Sequence, residues 1–153
     1  MIGSTIAIID DDASIRASTS SLVRSHGYVA FTFASAEAFL QSDRLRDTSC
    51  IISDVRMPAM SGTDLQAHLL AQGHRVPFIF VTAFPEEGTF ARVMKAGATC
   101  FLTKPFDGPS LIACLNRALK RAAEPGSVEP GVVEPGSETP QPGSPTATPE
   151  GDL

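Results

Sequence analysis

Cysteine, histidine and long apolar runs are all scarce in this 153-residue chain, and each scarcity removes a class of chemistry. Cys50, Cys100 and Cys114 are odd in number and show no C-x-x-C spacing, so neither a zinc site nor a disulfide framework is indicated. Two of them lie inside apolar runs, where cysteine acts as a small hydrophobe, and the expectation is reduced, buried thiols in the cytoplasm. His26, His68 and His74 match no metal spacing, and no Ser-His-Asp or Cys-His assembly is present. No G-x-G-x-x-G follows the first apolar run, which disfavours nucleotide binding. The N-terminus lacks the basic-then-apolar pattern of a signal peptide, and no apolar run approaches membrane-spanning length.

Basic residues are absent from the last part of the chain. All 12 Lys and Arg precede residue 124, whereas six of the 17 Asp and Glu (Glu124, Glu129, Glu134, Glu138, Glu150, Asp152) follow it, leaving 12 against 11 in the remainder. A near-neutral domain lacks the basic footprint of phosphate-backbone binding, so nucleic acid is not an expected partner. Two regions follow: a globular domain over 1–123 and a Pro/Gly/Glu-rich tail over 124–153. The tail repeats Glu124-Pro-Gly-Ser-Val, Glu129-Pro-Gly-Val-Val and Glu134-Pro-Gly-Ser-Glu. Its prolines block helix and ladder and its apolar content is too small to offset chain entropy, so disorder is expected there.

Within the domain, short apolar runs alternate with helix-period segments. Residues 6–9, 28–33, 50–53, 78–81 and 100–103 read as strands, several apolar throughout, as strands covered on both faces should be. Helices are expected over 14–26, 36–43, 62–72, 86–96 and 108–122, with Ser35, Ser61 and Asp107 preceding three of them and Gly27, Gly73 and Gly97 closing others. Alternation at this spacing implies an α/β fold with a mainly parallel sheet.

Polar side chains stand where four of the apolar runs end: Asp10 and Asp11, Asp54, Thr82, and Lys104. Parallel strands would gather all of them at one carboxyl edge, where open α/β sheets bind ligands. One aspartate among Asp10, Asp11 and Asp12 satisfies a helix N-cap; three exceed that need, and a hard divalent cation such as magnesium accounts for the surplus. Asp54 closes a buried run, where a lone carboxylate is costly, so it calls for a cation or a chemical task such as nucleophilic attack on a phosphoryl donor. Ala83 leaves room beside Thr82, and the Lys104-Pro105 pair places a compact cation before a proline able to hold a cis bond. The set reads as a magnesium-assisted phosphoryl acceptor.

In this order and spacing, Asp10-Asp11, Asp54, Thr82-Ala83 and Lys104-Pro105-Phe106 resemble the receiver domain of two-component response regulators, over roughly residues 4–121. Asp54-Val-Arg-Met-Pro-Ala-Met-Ser-Gly and Met94-Lys-Ala-Gly-Ala are similar to FixJ-type receivers, which usually precede a helix-turn-helix output domain. The resemblance implies a flavodoxin-like, five-stranded, doubly wound parallel sheet of order 2-1-3-4-5 with helices on both faces. It implies that Asp54 takes phosphoryl from a histidine kinase or a histidine phosphotransfer protein. Asp11 and Asp54 would ligate magnesium directly, Asp10 mostly through water, and the Arg56 carbonyl would complete the set. Thr82 and Lys104 would hold phosphoryl oxygens, and Phe101 would be the aromatic switch. Phe84-Pro85 after Thr82-Ala83 departs from the family pattern and puts a bulky ring and a rigid turn near the mouth of the site; Phe84, Ala83 and Arg56 would control access to the phosphate, with slow autodephosphorylation expected. The implied role is a signalling switch acting through a downstream protein and a phosphorylation-dependent homodimer. It would not be an enzyme beyond its own phosphorylation and dephosphorylation.

Two other readings compete. A phosphatase of the haloacid dehalogenase type would use the Asp10-x-Asp12 spacing but leaves Asp54 and the Met57-Pro58 turn unexplained. A pseudo-receiver that binds without phosphorylation leaves the intact acidic set and lysine without a task.

Overall fold

In the computed structural model, which describes residues 4–123, the apolar runs become five strands and the periodic segments become the helices between them. The order is β1 (Thr5–Ile9), α1 (Ala13–Ser25), β2 (Val29–Phe33), α2 (Ala36–Gln41), β3 (Cys50–Asp54), α3 (Gly62–Ala71), β4 (Phe78–Thr82), α4 (Glu87–Lys95), β5 (Cys100–Thr103) and α5 (Gly108–Ala123). A short 3-10 turn, Leu45–Asp47, between α2 and β3 is an addition to the expected elements. The strands form one parallel sheet of order β2-β1-β3-β4-β5, as the resemblance implies. The expected disordered tail, 124–153, lies outside the described residues.

Alternation of side chains along each strand divides the core into two layers. Ile6, Ile8, Ile52, Ile79 and Val81 point to one face, where Val23 of α1 and Leu111, Leu115 and Ala118 of α5 cover them. Ala7, Ile9, Ile51, Phe78 and Phe80 point to the other, against Phe39 of α2, Leu65 and Leu69 of α3, and Val93 of α4. Each large aliphatic side chain withdrawn from water contributes about 1.5–3 kcal/mol. Both faces must be covered, which is why the central strands carry almost no polar residue before their last position.

Helix ends follow local chemistry. Asp12 caps α1, its carboxylate accepting from the Ser14 and Ile15 amides at 2.9 and 3.1 Å. Ser35 caps α2, Ser61 and Asp64 form a reciprocal capping box on α3, and the Ser110 amide donates to Asp107 at 2.7 Å. Gly27, Gly73 and Gly97 take the left-handed conformation that ends α1, α3 and α4.

The cysteine expectation is corrected in part. Cys50 is a free, fully buried thiol whose pKa burial pushes up to about 12. Cys100 and Cys114 are joined in a disulfide, with Cα atoms 6.1 Å apart. Their partnership was hidden because 14 residues separate them and only the packing of α5 on β5 brings them together.

Candidate functional site

The parallel arrangement delivers the polar strand-end residues to one edge. Asp10 follows β1 and is held there by its amide, which donates to the Phe33 carbonyl at 3.1 Å; Asp54 ends β3 and Thr82 ends β4. Lys104 follows β5, its amide bonded to the Thr82 carbonyl at 2.8 Å, and the Lys104-Pro105 peptide is cis.

Two buried carboxylates share one ammonium. Lys104 Nζ donates to Asp10 Oδ2 at 3.1 Å and to Asp54 Oδ2 at 3.0 Å. The remaining oxygens are held by backbone: Asp10 Oδ1 accepts from the Asp12 amide at 2.9 Å and Asp54 Oδ1 from the Arg56 amide at 3.2 Å. Asp11 joins them, exposed, and one carboxylate oxygen from each of Asp10, Asp11 and Asp54 lies within 4.8 Å of the others. Three carboxylates against one ammonium leave a formal surplus of two negative charges, which one divalent cation balances. The donors are all hard oxygens, the set magnesium takes.

Burial raises the pKa of Asp54 above the ordinary carboxylate value; Lys104 pulls it partly back and the Asp10 charge adds to the rise. For Lys104, burial works against the charged form, but the bonds and charges of Asp54 and Asp10 outweigh it and the ammonium is held more firmly than usual. A positive charge is thus fixed between two carboxylates.

Of the other expected residues, Thr82 is 1% exposed and its Oγ1 accepts from the Phe84 amide at 3.1 Å. Ala83 and Phe84 are exposed at the mouth, Phe84 at 66%. Arg56 reaches across to Glu86, Nη2 to Oε2 at 2.6 Å, and its guanidinium lies 5.4 Å from the Phe84 ring centre. Phe101 stands apart from the acidic group: its ring meets Phe90 of α4 edge to face at 5.4 Å. None of the three histidines joins a metal-competent cluster among the described residues.

Sequence reasoning missed two contributors. Glu86 carries no motif, and its ion pair with Arg56 joins two loops that nothing in the sequence connects. Gly62 opens the helix expected over 62–72, yet a Cβ there would overlap the Asp54 carbonyl and come within 2.9 Å of Ser53 Oγ. Its amide bonds the Val55 carbonyl at 2.9 Å, so α3 begins in direct contact with the strand end that carries Asp54. No local sequence signal distinguishes such a packing glycine from a flexible one.

The molecule is thus an open, doubly wound parallel sheet with three carboxylates, a threonine and a lysine at its carboxyl edge. The family model for the response regulator receiver domain matches residues 6–116, and the chain belongs to that family. It is 40% identical over 121 residues to the response regulator protein TodT of Pseudomonas putida, covering 79% of this chain and 53% of that protein. With the transcriptional regulatory protein FixJ of Azorhizobium caulinodans it shares 39% identity over 121 residues, 79% of this chain and 57% of that one. The crystal structure of FixJ-N superposes with a TM-score of 0.70 at 32% identity, over 78% of this chain and 96% of that chain. The chain therefore spans about half the length of the curated relatives it matches. Receiver domains are phosphoacceptors of two-component signalling, bind Mg2+ at an acidic pocket, and interact with histidine kinases or phosphotransfer proteins. Among the described residues no helix is long and apolar enough to cross a membrane.

Proposed function

We propose that Asp54 is the phosphoacceptor of a cytoplasmic phosphorelay and that the chain acts as a switch through protein contacts. Its donor is the phosphohistidine of a kinase or phosphotransfer protein. A carboxylate oxygen of Asp54 forms the bond to phosphorus as the phosphorus–nitrogen bond breaks, and the electron pair returns to the donor imidazole. Asp11, Asp54 and the Arg56 carbonyl would hold Mg2+ directly and Asp10 mostly through water; when bound, the ion would offset charge on the phosphoryl oxygens. Lys104 and the Thr82 hydroxyl contact the remaining oxygens. The observation that carries this reading is the single ammonium of Lys104, 3.1 and 3.0 Å from two buried carboxylates beside an exposed third. A haloacid-dehalogenase reading fails to use Asp54, whereas here Asp54 sits at the centre.

The conformational consequence follows from packing. A phosphoryl group recruits Thr82 away from the Phe84 amide, and Phe101 repacks from Phe90 toward the space released. This is a shift between two arrangements, biased by contacts made in only one. The α4–β5–α5 side then changes its preference for a downstream protein or for a second copy of the chain. At the mouth, Arg56, tethered by Glu86 and Phe84, restricts water, and the phosphorylated form lasts minutes or longer. Replacing Arg56 with Ala shortens that lifetime; a wild-type half-life of seconds sinks the access argument.

Treatment with a small acyl-phosphate donor and Mg2+ adds one hydroxylamine-labile phosphoryl group to the wild type and none to Asp54→Asn, read by intact mass. Equal labelling of the variant overturns the assignment. Failure of both proteins to label supports the non-phosphorylated, pseudo-receiver alternative.

A further inference from the structure

At the amino edge of the sheet, opposite Asp54, lies a groove of about 720 Å³ between the ends of α3 and α5 and the strand entrances. Its rim carries Arg46, His74, Arg75 and Lys120, all exposed, and its lining contains no Asp or Glu. Val76 and Leu119 supply apolar surface between the charges. The domain as a whole is nearly balanced in charge, so a rim bearing Arg46, Arg75 and Lys120 with no acid in its lining is a local feature. None of these residues takes part in an ion pair among the described residues.

We propose that this groove is the docking surface for the acidic segment Glu124–Glu138 of the same chain. That segment carries Glu124, Glu129, Glu134 and Glu138 and no basic residue, so its charge is complementary to the rim along its whole length. Position favours it as well. Leu119 and Lys120 of α5 form one wall of the groove, and Glu124 follows Lys120 by four residues, so the helix delivers the acidic repeat to the groove. An extended proline-rich chain rises about 3.1 Å per residue, so a five-residue repeat can span about 15 Å between carboxylates. That spacing suits separate cations around a rim better than a single pocket. Exposed ion pairs are individually weak, but a tether of a few residues gives an effective concentration in the millimolar range. The Val128, Val132 and Val133 side chains of the repeat have Val76 and Leu119 to meet. Such docking is electrostatic and loses strength as salt screens it.

The test compares amide spectra of the full wild-type chain with those of the full chain carrying Glu124→Gln, Glu129→Gln and Glu134→Gln. Signals of Ser49, His74, Arg75 and Lys120 are expected to differ between the two at about 0.02 M salt and to approach each other at least about threefold at about 0.5 M. Arg46→Gln with Arg75→Gln, in the wild-type tail background, should remove the same salt dependence. Coincident groove signals at low salt overturn the proposal, as do differences confined to the last turn of α5. Shifts that grow with protein concentration also overturn it, because they assign the groove to the tail of a second copy.

Discussion

The two edges of the sheet are built from the same five strands and have opposite physics. At the carboxyl edge, charges are buried and held by backbone: Asp10 and Asp54 each give one oxygen to Lys104 and the other to an amide two residues along. At the amino edge, the charges are on long side chains exposed to water, and the groove they line contains no acid. Buried, pre-organised groups act strongly over short distances and tolerate little displacement, whereas exposed ones act weakly and adapt. One edge suits covalent chemistry on a small anion; the other suits reversible attraction of an extended acidic chain. Strand direction alone decides which polar residues go to which edge.

The contrast is broken most severely at Gly62. A methyl group there overlaps the Asp54 carbonyl, and the first turn of α3 has to move away from the strand end. Gly62→Ala is expected to cost about 3 kcal/mol, at the upper end for overpacking, because the obstacle is backbone that cannot change rotamer. Chemical denaturation measures the loss. Phosphorylation of the folded fraction should fall with it, while amide signals of the groove stay in place. A variant as stable as the wild type removes the claim that α3 braces the phosphorylation edge.

How much of this was legible before folding depended on whether the signal was local. Asp10, Asp54, Thr82 and Lys104 were found because each interrupts or follows an apolar run, and the parallel sheet converts that shared position into proximity. Helix limits were legible at Ser35, Ser61 and Gly73 because caps are written within a few residues. Gly62 was not, since its constraint comes from a strand eight residues earlier; nor was Glu86, whose partner Arg56 is 30 residues away. The Cys100–Cys114 bond was misread for the same reason. The 3-10 turn at Leu45–Asp47 has too few apolar residues to show a period.

Magnesium offers a milder perturbation of the same edge. Because burial raises the Asp54 pKa, the folded state without metal holds its proton to higher pH than the unfolded chain does. Stability without metal therefore falls as pH rises from 3.8, the ordinary value, through the raised one. Mg2+ binds the ionised carboxylates, so its stabilising increment should grow over that same window. It should reach about 1.4–2.7 kcal/mol at a concentration some ten- to a hundredfold above its dissociation constant. Thermal melts with Mg2+ and with chelator, at several pH values, give the increment directly. A constant increment across the window contradicts the coupling of Asp54 to the metal.

The smallest expected changes compare backbone strain at the two edges. Gly73 lines the amino-edge groove at φ +84°, and a Cβ there would touch nothing within 4 Å. Ala59, in the loop that leads from Asp54 to α3, sits at φ +66° with a side chain already present. Left-handed backbone costs an L residue about 1 kcal/mol, so Gly73→Ala should destabilise by about that amount and Ala59→Gly should stabilise by somewhat less, since glycine gains more entropy on unfolding. The pair of opposite signs isolates conformation from packing, because neither change is opposed by a neighbouring atom at the groove or by a buried side chain in the loop. If Gly73→Ala proves as damaging as Gly62→Ala, the amino edge is as tightly constrained as the carboxyl edge. The division between a rigid chemical edge and an adaptable electrostatic one then has to be abandoned.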